Sequence, residues 1–144
     1  MRILAVDLGD SRTGIALCNR GETIATPHGV LKNHGDKLKN AILEIATQEG
    51  AEMIVVGHPK NMDGSEGPRA QKSAEFVESL QSMTSLPIAL WDERLTTVSA
   101  TYYLNETNVR GKERKEKIDA MAAALILEGF MAYRKQESEK KTEF

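Results

Sequence analysis

Acidic residues stand at three places in this sequence where a carboxylate is unusual. Asp7 ends the apolar run "ILAV" at 3–6, Asp92 and Glu93 follow "IALW" at 88–91, and Asp119 opens the stretch "DAMAAALIL". If the two apolar runs are parallel strands, their carboxyl ends share one edge of a sheet, where open α/β sheets place their sites. Counting i+3, i+4, i+7 and i+11 from Asp119 reaches Ala122, Ala123, Ile126 and Phe130, so a helix here turns the acid toward the core. A carboxylate in that position is costly alone and needs a partner. A divalent cation shared with Asp7 and Glu93 is one answer, and a salt bridge to Arg114 or Lys115 is the other. Asp7 beginning a turn, and Asp92 or Glu93 capping a helix, would account for the remaining acids without any chemistry.

Carboxylates without a Cys or His ligand cluster suit Mg²⁺ or Mn²⁺ better than zinc. Two such ions about 4 Å apart orient a water, raise its nucleophilicity and stabilise the leaving oxygen of a phosphodiester. That is nuclease chemistry, with Asp7, Glu93 and Asp119 as the candidate catalytic and metal-binding residues and Asp92 competing with Glu93 for the second place. Cations lie near these acids. The segment "NVRGKERKEK" at 108–117 carries Arg110, Lys112, Arg114 and Lys115 just ahead of Asp119, as a phosphate-holding patch or as a solvated helix face. Arg12 and Arg94 follow the first two acidic positions, and Lys60, Asn61 and Arg69 lie in the loop "GHPKNMDGSEGPRA" at 57–70, all as candidate substrate contacts. A connection of that length is uncommon in a compact domain unless it acts, which predicts a mobile, substrate-gating loop. His58 is a structural residue or a weak site candidate. "GDSRTG" at 9–14 has Walker glycine spacing, but Ile15 and Ala16 stand where Lys and Ser/Thr are required. Gly9 and Gly14 instead predict a tight hairpin turn with room for a phosphate backbone.

The elements that must position these residues follow from periodicity. Residues 3–8 read as a strand buried on both faces, 13–18 as its antiparallel partner across a short turn, and 23–32 as a third extended segment whose Pro27 argues for an edge. Leu38, Ala41, Ile42, Ile45 and Ala46 mark an amphipathic helix that stops at Gly50. A central strand at 53–57 follows, then a helix marked by Phe76, Val77, Leu80 and Met83, then the strand 88–91 introduced by Pro87. A short helix capped within "TTVS" at 96–99 runs through Leu104, and a long final helix spans 114–134. The fold class is α/β: a mixed five-stranded sheet, with a three-strand antiparallel meander followed by crossover units and helices on both faces. Residues 1–134 form a single domain, and the charged segment 135–144 is expected to fray.

Composition narrows the setting. The chain has 144 residues, a formal net charge of −2 and one cysteine, Cys18. Its length suits one domain, and its charge offers polyanions no global attraction, so a nucleic acid must be held by local cations. A lone cysteine makes no internal disulfide and is expected to be a small buried residue, as a reducing compartment permits. The apolar run "AMAAALIL" at 120–127 falls well short of the roughly 20 residues a bilayer requires. These features predict a soluble cytoplasmic protein with no membrane partner.

The stretches "DLGDSRTGIAL", "VVGHPKNMDGSEGP", "LWDERLTT" and "KIDAMAAALIL", in this order, resemble the YqgF (RuvX) family of pre-16S rRNA nucleases, also described as Holliday-junction-resolvase-like. The likeness spans nearly the whole chain except the charged tail. It implies a ribonuclease H-like fold, with Asp7, Glu93 and Asp119 as the acidic metal-binding set. It also implies maturation of the 5′ end of pre-16S rRNA in ribosome biogenesis, with ribosome assembly intermediates as partners. Many members of the wider superfamily draw their second acid from the end of the fourth strand. Here that strand ends "GHP", and the acid comes from the strand after it.

The leading expectation is a Mg²⁺- or Mn²⁺-dependent endonuclease acting on structured RNA, with pre-16S rRNA ahead of branched DNA as substrate. Resolution of Holliday junctions and non-catalytic rRNA binding are the alternatives. A nucleotide-binding domain of the sugar-kinase, actin and Hsp70 type also begins with a strand, an Asp and a glycine-rich turn, but such proteins pair two domains where this length supplies one.

Overall fold

The computed structural model describes the backbone of residues 1–95 and 111–142 and the side chains of 1–95 and 116–140. Five strands form one mixed sheet in the order β3-β2-β1-β4-β5. Strands β1 (Ile3–Leu8) and β2 (Thr13–Cys18) are where the apolar runs predict them, and the third segment narrows to β3 (Ala25–Leu31). The meander β1-β2-β3 is antiparallel, and β3 with its Pro27 lies at the sheet's edge. Strands β4 (Met53–His58) and β5 (Ile88–Asp92) add in parallel to β1. The carboxyl ends of β1, β4 and β5 therefore share one edge of the sheet.

Alternation along the strands divides the core in two. Leu4, Val6, Ile54 and Val56 face helices α1 (Gly35–Glu49) and α2 (Pro68–Gln81), while Ile3, Ala5 and Val55 face the final helix α3 (Gly111–Thr142). Ile3 to Val6 are fully buried, as a central strand covered on both sides must be. In α1, Leu38, Ile42 and Ala46 are buried, and Gly50 ends the helix in the left-handed region at φ 68°. Pro68 opens α2, where its missing N–H has no helical partner to lose. Met83, read as part of the second helix, lies past its end and is 38% exposed, because the chain turns at Ser82. Cys18 is buried, as expected of a small apolar residue.

One expectation about the carboxyl-terminal part changes. Helix α3 continues past 134 to Thr142, through the segment read as a fraying tail. Lys, Glu and Gln are good helix formers without any core to bury, and Glu137 pairs with Lys140 one turn on at 3.6 Å. The short helix from the "TTVS" segment lies outside the described residues.

Two packing contacts help to fix α3 over the sheet. Trp91 of β5 meets Phe130 edge-on at 5.9 Å between ring centroids and Tyr133 at 5.7 Å, with its indole lying over Gly129. At the other end, α3 rests on Gly14 of β2, where a Cβ would run into the carbonyl oxygen of Asp119. Gly14 is the register partner of Asp7. The space over this glycine thus holds the helix backbone, not a phosphate as the sequence suggested, while Gly9 closes the hairpin turn by donating to the Arg12 carbonyl at 2.9 Å.

Gly14→Val is expected to destabilise the fold by about 3 kcal/mol, the cost of overpacking a closed contact. Gly29→Ala, whose added Cβ meets nothing within 4 Å, is expected to stay within about 0.5 kcal/mol of the parent. Urea unfolding of the two variants compares them.

Candidate active site

Asp7 sits at the end of β1 with its carboxyl group largely removed from water. Burial pushes its pKa up to about 6, the Asp119 charge pushes the same way, and Arg69 opposes both. Glu93 begins a single 3₁₀ turn directly after β5, and burial, then the repulsion of Asp7, push it up to about 7. The Asp7 carboxyl group lies close enough to oppose the ionisation of Glu93. A glycine makes their meeting possible: an added Cβ at Gly57, near the end of β4, would stand 2.9 Å from Glu93 Oε2. Glu93 therefore lays its carboxylate over the end of β4, although it belongs to the strand beyond. The acid missing from "GHP" is replaced in space, and the mark of this in the sequence is a glycine closing the run "MIVVG".

Of the two adjacent acids, Asp92 is spoken for. Arg94 grips it at 2.6 Å from Nη2 to Oδ2 and 3.0 Å from Nε, and this bonding holds the Asp92 carboxyl below its usual range. Arg94 also donates to the Met62 carbonyl at 3.3 Å, tying the 57–70 loop to the end of β5. It thus acts inside the protein, where the sequence suggested a substrate contact.

Asp119 projects from α3 above the register partner of Asp7, with Ala123, Ile126 and Phe130 of its stripe buried. Its carboxylate takes a partner that sequence reasoning had assigned to substrate: Arg12 Nε donates to Asp119 Oδ2 at 2.6 Å. With Asp119 turned to Arg12, no three carboxylate, imidazole or thiol groups among the described residues converge on one ion position. The all-oxygen donor set still fits a hard cation, because Asp7 and Glu93 are desolvated and repel, which is what a divalent charge between them relieves.

The remaining candidates divide. Arg69 reaches the Leu8 carbonyl from Nη2 at 3.4 Å and bears on both raised acids, so it is an exposed cation beside the pair. Lys60 bears electrostatically on Asp92. Asn61 is taken up by the loop, its Nδ2 donating to Ser65 Oγ at 3.0 Å and its N–H to the Ser65 carbonyl at 2.9 Å. Those bonds, with Arg94, give the loop an ordered framework. Arg110 and the side chains of Lys112, Arg114 and Lys115 lie outside the described residues. His58, buried at the end of β4, has Nε2 2.9 Å from Glu66 Oε1, but the approach is out of line and makes no hydrogen bond.

The chain that carries these acids has relatives. Residues 1–133 match the model of a family described as "RuvX: Holliday junction resolvase". The chain belongs to the RuvX family. It is 45% identical over 129 residues to a Chelativorans sp. protein, a match covering 88% of this chain and 80% of the relative. A Halothermothrix orenii protein is 40% identical over 134 residues, covering 92% of this chain and 96% of the relative. Both bear the name "Putative pre-16S rRNA nuclease". Among solved structures, Thermus thermophilus RuvC bound to a Holliday junction superposes with a TM-score of 0.57 at 14% identity, covering 93% of this chain and 96% of that one. The RuvX chain thus has the ribonuclease H-like fold, and it is an enzyme of a nuclease family. No helix among its described residues is long and apolar enough to cross a membrane.

The raised acids make stability depend on pH. Both bind protons more tightly folded than unfolded, so their contribution is full below about pH 4 and is lost as pH rises through about 6 and 7. For Asp7 alone the change is on the order of 3 kcal/mol. In EDTA, Tm relative to the Asp7→Asn variant is expected to fall between pH 5 and 8, and millimolar Mn²⁺ is expected to restore it. A flat difference across that range would show that the Asp7 carboxyl group is not held out of water.

Proposed function

We propose that this RuvX protein is a divalent-metal-dependent endonuclease of structured RNA that processes the 5′ end of pre-16S rRNA in the cytoplasm. The observation that carries this reading is the desolvated pair Asp7 and Glu93 at the carboxyl edge of the sheet, with Asp119 overhead. The names of relatives at 40–45% identity support the choice of pre-rRNA, and their matches span at least 80% of those proteins in the two cases above.

Asp7, Glu93 and Asp119 would hold Mg²⁺ or Mn²⁺, and the bound ion supplies an activated water and charge stabilisation for the leaving oxygen. The chain's own groups do the rest. Asp7 and Glu93 fix the position at which the cut occurs, because one leaves a buried strand and the other packs over Gly57. Arg69, exposed beside them, neutralises the phosphate that must approach two acids. Arg12 leaves Asp119 for a substrate phosphate, which frees that carboxylate to complete the donor set. Arg94 keeps Asp92 out of the site by holding it in an ion pair.

The family's description and its RuvC-like fold favour a second reading, the resolution of branched DNA. One assay separates them: a labelled pre-16S leader RNA and a four-way DNA junction, each incubated with enzyme and Mn²⁺. Cutting of the RNA is expected, reduced by a factor on the order of 100 or more in Asp7→Asn and Glu93→Gln, while Asp92→Asn keeps activity within about threefold. Preferential cutting of the junction would favour the resolvase reading, and RNA binding without any cutting would favour a non-catalytic assembly factor.

A further inference from the structure

A cavity of about 420 Å³ lies between the β1-β2 turn, the start of α1 and helix α2, and the acids do not use it. Its volume falls in the range of small-molecule sites. Leu8, Leu38 and Phe76 supply an apolar lining that belongs to the α1/α2 side of the core. Against it stands a polar wall. The Lys39 side chain is only 14% exposed, and its ammonium donates to Ser79 Oγ at 2.7 Å and Asp36 Oδ1 at 3.2 Å. At the rim, Lys72 lies 3.9 Å from Asp10.

The cavity adjoins the acids through Arg12, which forms part of its wall while its guanidinium grips Asp119. Leu8 follows Asp7 in β1 but turns to the α1/α2 side of the sheet, so the cavity lies across the sheet edge from the carboxylates. A strand that runs from the acids along Arg12 brings its neighbouring nucleotide to the cavity. A bare phosphate does not suit this space, because the cations that line it, Arg12, Lys39 and Lys72, are each already paired with a carboxylate and Glu75 lines it too. A flat heteroaromatic group with apolar faces and polar edges does: the faces meet Leu8 and Phe76, and the edge meets Ser79, Lys39 and the backbone of the turn. Sequence-selective RNA proteins bind unstacked bases by this combination.

We propose that this cavity receives one unstacked base of a single-stranded segment next to the phosphodiester that is cut, which makes the enzyme selective for unpaired RNA beside its cleavage point. The proposal rests on the nuclease reading for its location but not for its binding chemistry. A duplex keeps its bases paired and stacked and cannot fill the cavity.

The test uses the full chain in EDTA and a 12-nucleotide RNA carrying the fluorescent base 2-aminopurine, single-stranded or annealed to its complement. Single-stranded binding with a change in 2-aminopurine emission is expected. Two variants, Phe76→Leu and Ser11→Trp, are expected to weaken it at least about tenfold, the scale of losing a base-aromatic contact. Ser11 lies exposed on the turn, so its replacement fills the mouth without disturbing the core. Wild-type affinity in both variants, or equal affinity for the duplex, would overturn the proposal. The same RNA incubated with Mn²⁺ keeps the two readings apart. Cutting together with unaltered binding by the variants removes the base site and leaves the nuclease, whereas base capture without cutting removes the nuclease and leaves the site.

Discussion

Two carboxyl groups held together out of water are the costly feature around which the rest of this molecule is arranged. Asp7 and Glu93 are each pushed upward first by burial and then by a neighbouring negative charge. A chain tolerates such a pair only if the elements carrying it cannot move apart. Asp7 leaves a strand whose residues Ile3 to Val6 are wholly buried between two helical layers. Glu93 follows a strand pinned to α3 by Trp91 packed on Phe130 and Tyr133. The strain of the pair is thus borne by packing, which is where a domain of this size has stability to spend on a functional site.

Charge is sorted as carefully as shape. Among the described residues three arginines stand near the acidic edge, and each has a different occupation: Arg94 neutralises Asp92, Arg12 holds Asp119, and Arg69 remains exposed beside Asp7 and Glu93. Of the two adjacent acids, Asp92 is thereby bound up in an ion pair, which the sequence "DER" could not decide. Arg12 links the site to its surroundings in a second way, since it borders both Asp119 and the cavity between α1 and α2. A substrate that draws Arg12 away changes the donor set and the cavity wall in one movement.

Much of this was legible in the sequence because it rested on strong local periodicity. The strands 3–8 and 13–18, the helix ending at Gly50 and the edge position of Pro27 follow from patterns that survive in the structure. The orientation of Asp119 toward the core was readable from its helical stripe for the same reason. What escaped were contacts between residues far apart in the chain. Nothing local to Gly14 says that a helix backbone over 100 residues later rests on it, and nothing local to Gly57 says that Glu93 lies over it. The partner of Asp119 was sought among its helical neighbours Arg114 and Lys115, and it came from the hairpin turn instead. The end of α3 escaped for a different reason: a helix of Lys, Glu and Gln carries no apolar pattern to read.

The central claim is that Asp7 and Glu93 are kept together to share a divalent cation, with Asp119 joining them. Diffraction from crystals soaked in Mn²⁺, recorded where manganese scatters anomalously, measures this directly. An anomalous peak beside the Asp7 and Glu93 carboxylates is expected, with Asp119 turned from Arg12 toward it. Saturating Mn²⁺ that leaves no peak beside those two carboxylates would contradict the claim.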